Sequence, residues 1–332
     1  MSIILDIRNL TIALETPSGL TKVLDGFNLQ LEEGEIHTLV GESGSGKTLL
    51  AKAILGFIQP KWRITADRLW WRQQDLLAMD TAQRRLITGQ DMAMIFQNPA
   101  SYLDPYLRIG RQLSEVIARH PHRWRGAQRR RQHRQLIVEL LQRVGIDDID
   151  AVCNSYPLQL SDGVAQKISV AMALAHRPKL LVADEPASAM GQYTRSQIYE
   201  QLFRLNTEYG MTMLMITQDL TTMMQQTQRL SLIYSGQLME VGPLKQVLTE
   251  PAHPYTDAML KMSFLDSTHP PKTKLPTLPG SIPTSQSLPI GCRLGPRCPK
   301  AQRICVQRPE LTTVQQRQFA CHFPLIEISP HE

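Results

Sequence analysis

The chain has 332 residues, of which 42% are hydrophobic and 20% charged, a composition that excludes a wholly disordered or fibrous protein. Its 36 Lys and Arg against 30 Asp and Glu give a formal net charge of +6. Seven of the arginines lie between Arg119 and Arg134, a stretch without acids that we name the basic segment. Without them the balance is 29 against 30, which argues against a protein that coats nucleic acid.

The N-terminus places Asp6 and Arg8 where a secretion signal has an apolar stretch, so no signal peptide is expected. No apolar run reaches the roughly 18 residues that a membrane-spanning helix needs. The five cysteines are therefore expected in a reducing compartment, where clustered thiols indicate a metal more than disulfides.

A phosphate-binding loop is the first strong motif along the chain. Residues 35–40, Glu-Ile-His-Thr-Leu-Val, predict a strand, and residues 41–48 match G-x-x-x-x-G-K-[S/T]. The apolar spacing that follows, up to Gly56, predicts a helix. Glycines let the backbone turn its N–H groups toward phosphates, and the helix N-terminus adds partial positive charge. The residues that this pattern assigns to phosphate binding are Gly41, Ser43, Gly44, Ser45, Gly46, Lys47 and Thr48.

A second apolar run, residues 179–183, ends in two acids. Such a run is typical of a buried parallel strand. Lys47 would reach the β- and γ-phosphates of a nucleotide, while Thr48 and Asp184 would hold Mg²⁺. Glu185 is placed to polarise the attacking water.

Two further motifs lie between these elements and name a family. Residues 94–99, Met-Ile-Phe-Gln-Asn-Pro, resemble a Q-loop, and residues 156–166 resemble the signature YP-x-x-LSGG-x-x-Q. With the phosphate loop and the acids in this order, residues 3–250 resemble the nucleotide-binding subunit of an ABC transporter. The resemblance implies an α/β fold, a P-loop ABC ATPase core with a helical subdomain at about residues 98–172.

The resemblance also implies roles for individual residues. Gln97 would join Thr48 and Asp184 around Mg²⁺ and act with Glu185 and Gln218 in hydrolysis. ABC ATPases work as pairs, in which each ATP lies between the phosphate loop of one subunit and the signature of the other. Ser161 and Gly163 would therefore contact the ATP of the partner subunit.

The C-terminal part of the chain differs in composition. Thirteen of the 22 prolines lie in residues 251–332, which predicts a boundary near residue 250 and a loop-rich extension after it. The motifs at residues 253–256 (His-Pro-Tyr-Thr), 278–283 (Leu-Pro-Gly-Ser-Ile-Pro) and 297–299 (Arg-Cys-Pro) resemble the C-terminal extension of oligopeptide and dipeptide transporter ATPases. Within that family, the similarity is greatest to a peptide transport system associated with sensitivity to antimicrobial peptides.

The four cysteines of this extension are spaced C-x5-C-x6-C-x15-C. Structural zinc usually has a short C-x2–4-C pair, which is absent, whereas four thiolates also hold iron–sulfur cubes. Unligated thiols remain an alternative, because spacing alone does not fix a metal. Relatives with this extension carry a [4Fe–4S] cluster, so the resemblance implies ligand roles for Cys292, Cys298, Cys305 and Cys321, with zinc as the weaker alternative.

Four positions depart from the family pattern. Gln218 stands where the family has a histidine that contacts the γ-phosphate, and glutamine cannot carry charge. Asp162 replaces the first signature glycine; at about 6 Å and an effective dielectric near 20, a carboxylate would repel a phosphate charge by about 3 kcal/mol. Gly191 replaces the D-loop acid, and Leu14 replaces the aromatic residue that stacks on adenine. Together they predict slow hydrolysis.

The expected function is an ATPase subunit that powers a peptide transporter from the cytoplasmic face of the inner membrane. Its implied partners are a second, F-type ATPase subunit, two membrane permeases and an upstream solute-binding protein. Alternatives are a regulatory nucleotide-binding module with little hydrolysis, or a soluble ABC ATPase acting on nucleic acid. The basic segment could be a solvated or membrane-proximal face, a partner-docking surface or a nucleic-acid patch, and no nucleic acid is expected overall.

Overall fold

The computed structural model describes residues 2–17, 19–118, 126–188, 190–221, 226–264, 277–284 and 286–327. In chain order the strands are β1 (Ile3–Thr16), β2 (Gly19–Glu32), β3 (Ile36–Val40), β4 (Trp62–Thr65), β5 (Arg68–Trp71), β6 (Gln74–Asp75), β7 (Met92–Ile95), β8 (Leu180–Asp184), β9 (Thr212–Thr217), β10 (Arg229–Tyr234), β11 (Gln237–Pro243), β12 (Thr312–Val314) and β13 (Arg317–Phe319). The α-helices are α1 (Lys47–Leu55), α2 (Thr81–Gln90), α3 (Ile109–Ala118), α4 (Gly126–Arg143), α5 (Ile149–Asn154), α6 (Asp162–Leu174), α7 (Gln192–Tyr209), α8 (Leu244–Thr249) and α9 (Pro254–Ser263).

The chain divides into two compact units. The first unit comprises Met1–Ala78 together with Met215–Glu332, and the second comprises Met79–Leu214. The division falls within β9. Among the helices that the structure describes, none is both long and apolar enough to cross a bilayer.

The first unit contains an antiparallel sheet built on the long hairpin β1–β2. Its strand order is β2-β1-β5-β6, and β4 also pairs with β1. Apolar residues of the hairpin, including Leu5, Leu10 and Phe27, are fully buried, so this sheet has a core of its own.

A second set of strands in the first unit carries the phosphate loop. β3 is parallel to β10, and β10, β11, β13 and β12 continue in antiparallel order. All five residues of β3 are buried, and the strand predicted at residues 35–40 is confirmed. The predicted helix after the loop is also confirmed, because α1 ends at Gly56 in the left-handed conformation (φ 79°) that favours glycine.

The proline-rich extension is attached to these strands. β12 and β13, which lie in the extension, add to the sheet beside β11. In β11 the fully buried Glu240 accepts hydrogen bonds from the backbone N–H groups of Ala252 (3.0 Å) and His253 (2.9 Å), and the Arg317 guanidinium lies 3.7 Å away. This carboxylate fixes the start of α9, where Pro254 occupies the first turn that tolerates proline.

The second unit combines parallel strands with helices. β7 pairs in parallel with β8, with Met92 opposite Leu180 and Ile95 opposite Ala183. The strand predicted at residues 179–183 is confirmed by β8, all of whose residues are buried. The stripe Ile198, Leu202 and Leu205 of α7 is buried, as its helical spacing predicted.

Candidate functional site

The phosphate loop connects β3 to α1 in the first unit. Gly44 (φ 78°) and Gly46 (φ 100°) have backbone conformations in the left-handed region that side chains disfavour. Gly41 is restricted by space instead, because a Cβ there would lie 2.2 Å from the Ile233 carbonyl oxygen. Glycine is therefore required for two different reasons: at Gly44 and Gly46 by the bend of the backbone, and at Gly41 by the close approach of β10.

Lys47 is buried within this loop. Its Nζ donates to the carbonyl oxygens of Gly41 (2.7 Å) and Glu42 (2.9 Å) and lies 3.4 Å from Ser45 Oγ, which matches the three donors of an ammonium group. Ser43, Gly44 and Thr48 are exposed. Among the described residues no side chain caps α1, so its N-terminus presents backbone donors and a positive dipole end to an anion.

Two catalytic candidates meet in the second unit. Because β7 and β8 are parallel neighbours, the residues after their carboxyl ends lie at the same edge. Gln97 Nε2 donates to Glu185 Oε2 at 2.8 Å. Glu185 adopts φ 46°, a rare conformation for a residue with a side chain, and is buried, as is Asp184. The carboxylate of Glu185 is thus held by an amide donor at the end of a buried strand.

The signature segment (residues 161–163) opens α6. Ser161 is the N-cap and its Oγ accepts from the Val164 N–H at 3.4 Å, while Asp162 is the first helical residue. Both are exposed, and Gly163 is half-buried. An acid in the first turn is favourable for the helix dipole, so Asp162 suits this fold even though it departs from the family pattern.

The other departing positions are exposed or half-buried. Leu14 is half-buried on β1 directly opposite Trp62 of β4, so the two side chains share a face of the sheet. Gln218 is exposed immediately after β9. Gly191 is exposed and precedes α7, whereas Ala189 of the D-loop lies outside the described residues.

All four cysteines of the extension line one small cavity in the first unit, together with His253 and His322. None of them is in a disulfide, and the Cys292 N–H donates to the Cys305 carbonyl oxygen at 3.0 Å. In the described part of the chain, however, no three His, Cys, Asp or Glu side chains are placed as a group that could hold a metal ion. Side-chain placement thus gives no support to the expected iron–sulfur ligand set beyond the shared cavity.

Burial dominates the electrostatics of this cavity. It raises the pKa of the Cys292 and Cys298 thiols and raises that of Cys321 to about 11, with neighbouring thiols adding to the effect. Burial lowers the pKa of His253 to about 3, so this imidazole is neutral near pH 7. Burial thus favours the protonated thiols of Cys292, Cys298 and Cys321, which would have to lose their protons in order to become ligands of a cation.

The basic segment lies partly outside the described residues, which omit 119–125 and the side chains of 126–130. Of its remaining arginines, Arg134 forms an exposed ion pair with Asp150 at 3.0 Å.

The sequence analysis did not single out three residues near the phosphate loop. Arg297 and Tyr255 contact Glu42, the second residue of the loop, and Tyr234 accepts a hydrogen bond from Arg297. Two of them belong to tail motifs, Tyr255 to His-Pro-Tyr-Thr and Arg297 to Arg-Cys-Pro, which were the available signal.

Comparison with known proteins agrees with this geometry. Residues 24–188 match the profile of the ABC transporter family, and residues 239–305 match the oligopeptide/dipeptide transporter C-terminal region. A dimeric structure of a post-hydrolysis state of an ATP-binding cassette, bound to ADP and Pi, superposes with a TM-score of 0.64 at 24% identity, covering 72% of this chain and 98% of that one. That likeness concerns the fold, an ABC ATPase cassette, as expected from the sequence.

Two curated relatives cover almost the whole chain. The peptide transport system ATP-binding protein SapD of Salmonella typhimurium is 46% identical over 323 residues, 97% of this chain and 98% of its own. The dipeptide transport ATP-binding protein DppD of Escherichia coli is 36% identical over 324 residues, 97% of each chain. The chain therefore belongs to the ATP-binding subunits of the ABC transporter family, in the oligopeptide/dipeptide branch, and is an ABC-type ATPase.

Proposed function

We propose that this chain couples ATP binding and hydrolysis to the transport of peptides across a membrane. The observation that carries the proposal is the phosphate loop, in which a buried lysine is drawn against the Gly41 and Glu42 carbonyls beside an uncapped helix N-terminus. The relatives are a peptide transport protein and a dipeptide transport protein, which supports peptides as the class of cargo.

Each site residue has a proposed role. The phosphates of ATP would bind the loop residues Gly41, Ser43, Gly44, Ser45, Gly46, Lys47 and Thr48. Oxygen donors suit Mg²⁺, and we assign it the Thr48 hydroxyl, the Asp184 carboxylate and the amide oxygen of Gln97. Glu185, held by Gln97, would polarise water, and Leu14 would pack against adenine without a π face.

The second half of each composite site would come from another subunit. Ser161 and Gly163 would serve the ATP of the partner, where the Asp162 carboxylate opposes the phosphates. Gln218 can donate a hydrogen bond but cannot carry charge, so we expect slow hydrolysis at the site built on Lys47. Because both composite sites lack usual parts on this chain, we propose a heterodimer with an F-type ATPase subunit.

The four extension cysteines are proposed to hold a metal centre, a [4Fe–4S] cluster in preference to zinc. Four thiols lining one cavity support this choice, although their sulfurs are not grouped as ligands in the described structure. When bound, such a cluster would supply a rigid cross-link among four chain segments. Iron and acid-labile sulfide, measured in anaerobically purified protein, test it; fewer than about two irons per chain would contradict a four-iron cluster.

The remaining assignments follow from the same function. We propose that residues 1–250 form the nucleotide-binding domain, with a helical subdomain near residues 98–172, and that residues 251–332 form the extension. The complex would include two permeases and a solute-binding protein, with this subunit peripheral on the cytoplasmic face of the inner membrane. Its cargo would include antimicrobial peptides, which greater sensitivity of a deletion strain to such peptides would support.

The decisive experiment measures ATP hydrolysis by this chain alone and together with a candidate F-type subunit and permeases. We expect little turnover alone and peptide-dependent turnover in the complex. Vigorous hydrolysis by the isolated chain would contradict the heterodimer. Purification from native membranes with nucleic acid, but without permeases, would contradict the transport function.

A regulatory module that binds ATP with little hydrolysis is a second candidate, favoured by Gln218 at the position of the family histidine. The Gln218→His variant in the assembled complex distinguishes the two, with Gln226→His as an exposed control. A transport ATPase with one degraded site should turn over several times faster with the histidine, by about three- to tenfold. An unchanged, negligible rate would favour the regulatory module.

A further inference from the structure

Two motifs of the C-terminal extension contact one residue of the phosphate loop, Glu42, and a third motif contacts Arg297, which binds it. Glu42 directly follows Gly41, and its side chain is only 20% exposed. Its backbone carbonyl accepts from Lys47, and its carboxylate is contacted by the extension. The loop is therefore in contact with a segment more than 250 positions away in sequence.

Arg297, from the Arg-Cys-Pro motif, holds the Glu42 carboxylate. Its Nη1 donates to Glu42 Oε2 at 3.0 Å and to Tyr234 Oη at 3.1 Å. Its Nε donates to the Pro279 carbonyl oxygen at 3.0 Å, within the Leu-Pro-Gly motif. Gly280 follows with φ 72°, which supplies the turn that brings this carbonyl to the guanidinium. A buried arginine is thus oriented by three acceptors.

Tyr255, from the His-Pro-Tyr-Thr motif, holds the backbone of the same residue. Its Oη accepts from the Glu42 N–H at 3.2 Å, and the tyrosine is fully buried in α9. Its ring packs edge-on against Tyr234, with 5.0 Å between centroids. Tyr234 therefore links the two tail contacts into one network around Glu42.

The charge pattern of this network matters for an anion. Glu42 carries its carboxylate on a residue whose own carbonyl oxygen accepts from Lys47, so this charge would attract the Lys47 ammonium and repel phosphates. Arg297 donates hydrogen bonds to Glu42 and to Tyr234, and a guanidinium stays protonated in proteins, so its positive charge faces the Glu42 carboxylate. A partly buried ion pair of this kind is weakly screened by salt.

We propose that Arg297 is a positioning residue for ATP, which neutralises and orients Glu42 so that the C-terminal extension sets the nucleotide affinity of the phosphate loop. The proposal rests on the proposed function of that loop as an ATP site. On this proposal all three tail motifs act on the charge and position of Glu42, a role that does not require any of them to contact the nucleotide.

A second buried arginine of the extension contacts residues outside the loop. The buried Arg293 donates to the Ser235 carbonyl and forms an ion pair with Asp25 at 3.5 Å. Arg293 follows Cys292 in the chain, and Arg297 precedes Cys298. The segment that lines the cysteine cavity is therefore the segment that reaches the phosphate loop.

The test is a titration of the full chain with a fluorescent ATP analogue in the presence of Mg²⁺. Arg297→Gln is expected to weaken binding about tenfold, since a charge-assisted contact is lost and a carboxylate is uncovered. The matched control is Arg308→Gln, a tail arginine that donates to the Asp25 carbonyl away from Glu42 and should stay within about twofold of wild type.

The double variant Glu42→Gln/Arg297→Gln separates charge from structure. Removing the carboxylate should restore affinity to within about threefold of wild type if Arg297 acts by neutralising Glu42. A milder variant, Tyr234→Phe, removes only the hydroxyl that orients Arg297 and should weaken binding about threefold. This variant keeps the ring and so tests the proposal even if Arg297→Gln fails to fold.

Wild-type affinity in the Arg297→Gln and Tyr234→Phe variants would overturn the proposal, as would failure of Glu42→Gln to restore binding to a folded Arg297→Gln protein. Absence of ATP binding by the wild-type chain would instead contradict the proposed function of the loop. The two failures are therefore distinguishable.

Discussion

The phosphate loop and the signature segment are both assigned to ATP, but the chain holds them in different ways. The loop is fixed from inside by Lys47 and from the extension by contacts to Glu42. The signature segment is exposed, and one cap hydrogen bond from Val164 to Ser161 orders its start. The phosphate loop is held by contacts within the chain, whereas Ser161 and Asp162 of the signature segment are exposed, where we propose that a second subunit contacts them.

This difference explains where substitutions are tolerated. A side chain at Gly41 would collide with β10, so the fold itself enforces the motif there. At position 162 the aspartate stabilises α6, because an acid in the first turn of a helix is favourable by about 0.3–1 kcal/mol. The aspartate at position 162 therefore does not lower the folding stability of the isolated chain. Its effect on function should appear only in the assembled complex.

The largest effect is expected at the internally held site. Lys47→Ala removes the ammonium group that is hydrogen-bonded within the loop, and it should weaken binding of ATP by about 100-fold or more. Lys52→Ala, on the same helix, is the matched control and should stay within about twofold. Titration with a fluorescent ATP analogue measures both. Equal losses in the two variants would show that general basicity of α1, not the loop, binds the nucleotide.

Glu185→Gln tests the carboxylate that Gln97 holds. In a complex whose partner subunit cannot hydrolyse ATP, the variant should bind ATP normally while the residual turnover at the site built on Lys47 falls about 100-fold, because water loses its polarising base. Glu200→Gln, an exposed acid on α7, is the control. Residual turnover that Glu185→Gln leaves unchanged would mean that Glu185 does not polarise the attacking water.

The sequence predicted the elements whose pattern is local. The segment before the phosphate loop indicated β3, a continuous apolar run indicated β8, and the G-x-x-x-x-G-K-[S/T] spacing located the start of α1. The contact between Arg297 and Glu42 had no such signal, because a pair 255 positions apart leaves no periodicity in the sequence. The proline content correctly indicated irregular structure but could not show that β13 pairs with β11.

The residues of the candidate site could likewise be predicted from the sequence where they belong to motifs. Motif order placed Gln97 and Glu185 in the same ATPase machinery, and the hydrogen bond between them depends on parallel pairing that the apolar runs implied. The cysteine spacing could not decide the metal, since ligand geometry depends on loop conformation. Tyr255 of the extension and Tyr234 of β10 were not predicted as part of the site, because aromatic character alone does not distinguish them from core residues.

The exposed signature offers a smaller effect. Asp162→Asn removes the carboxylate without changing its size and should strengthen ATP-dependent association with the partner subunit about tenfold, since exposure screens much of the repulsion. Asp147→Asn, also exposed in the second unit, is the control. Sedimentation of the mixed subunits with and without ATP measures the association. Weaker association of Asp162→Asn would indicate that the carboxylate binds a cation of the partner.

The smallest effect concerns the exposed tail contact at Asp25. Burial alone would raise the pKa of Asp25, but Arg308, Arg293 and Lys22 hold it below its ordinary value of 3.8. A lowered folded-state pKa contributes stability above pH 3.8 that is lost as the pH falls through the folded value.

Arg308→Gln should reduce that contribution by less than about 1 kcal/mol, because Arg308 is half-exposed. Urea unfolding at pH 7 and at about pH 3 measures it; the difference between wild type and variant should shrink at the lower pH. A difference that stays constant with pH would mean that Arg308 acts through its bond to the Asp25 carbonyl and not through the carboxylate.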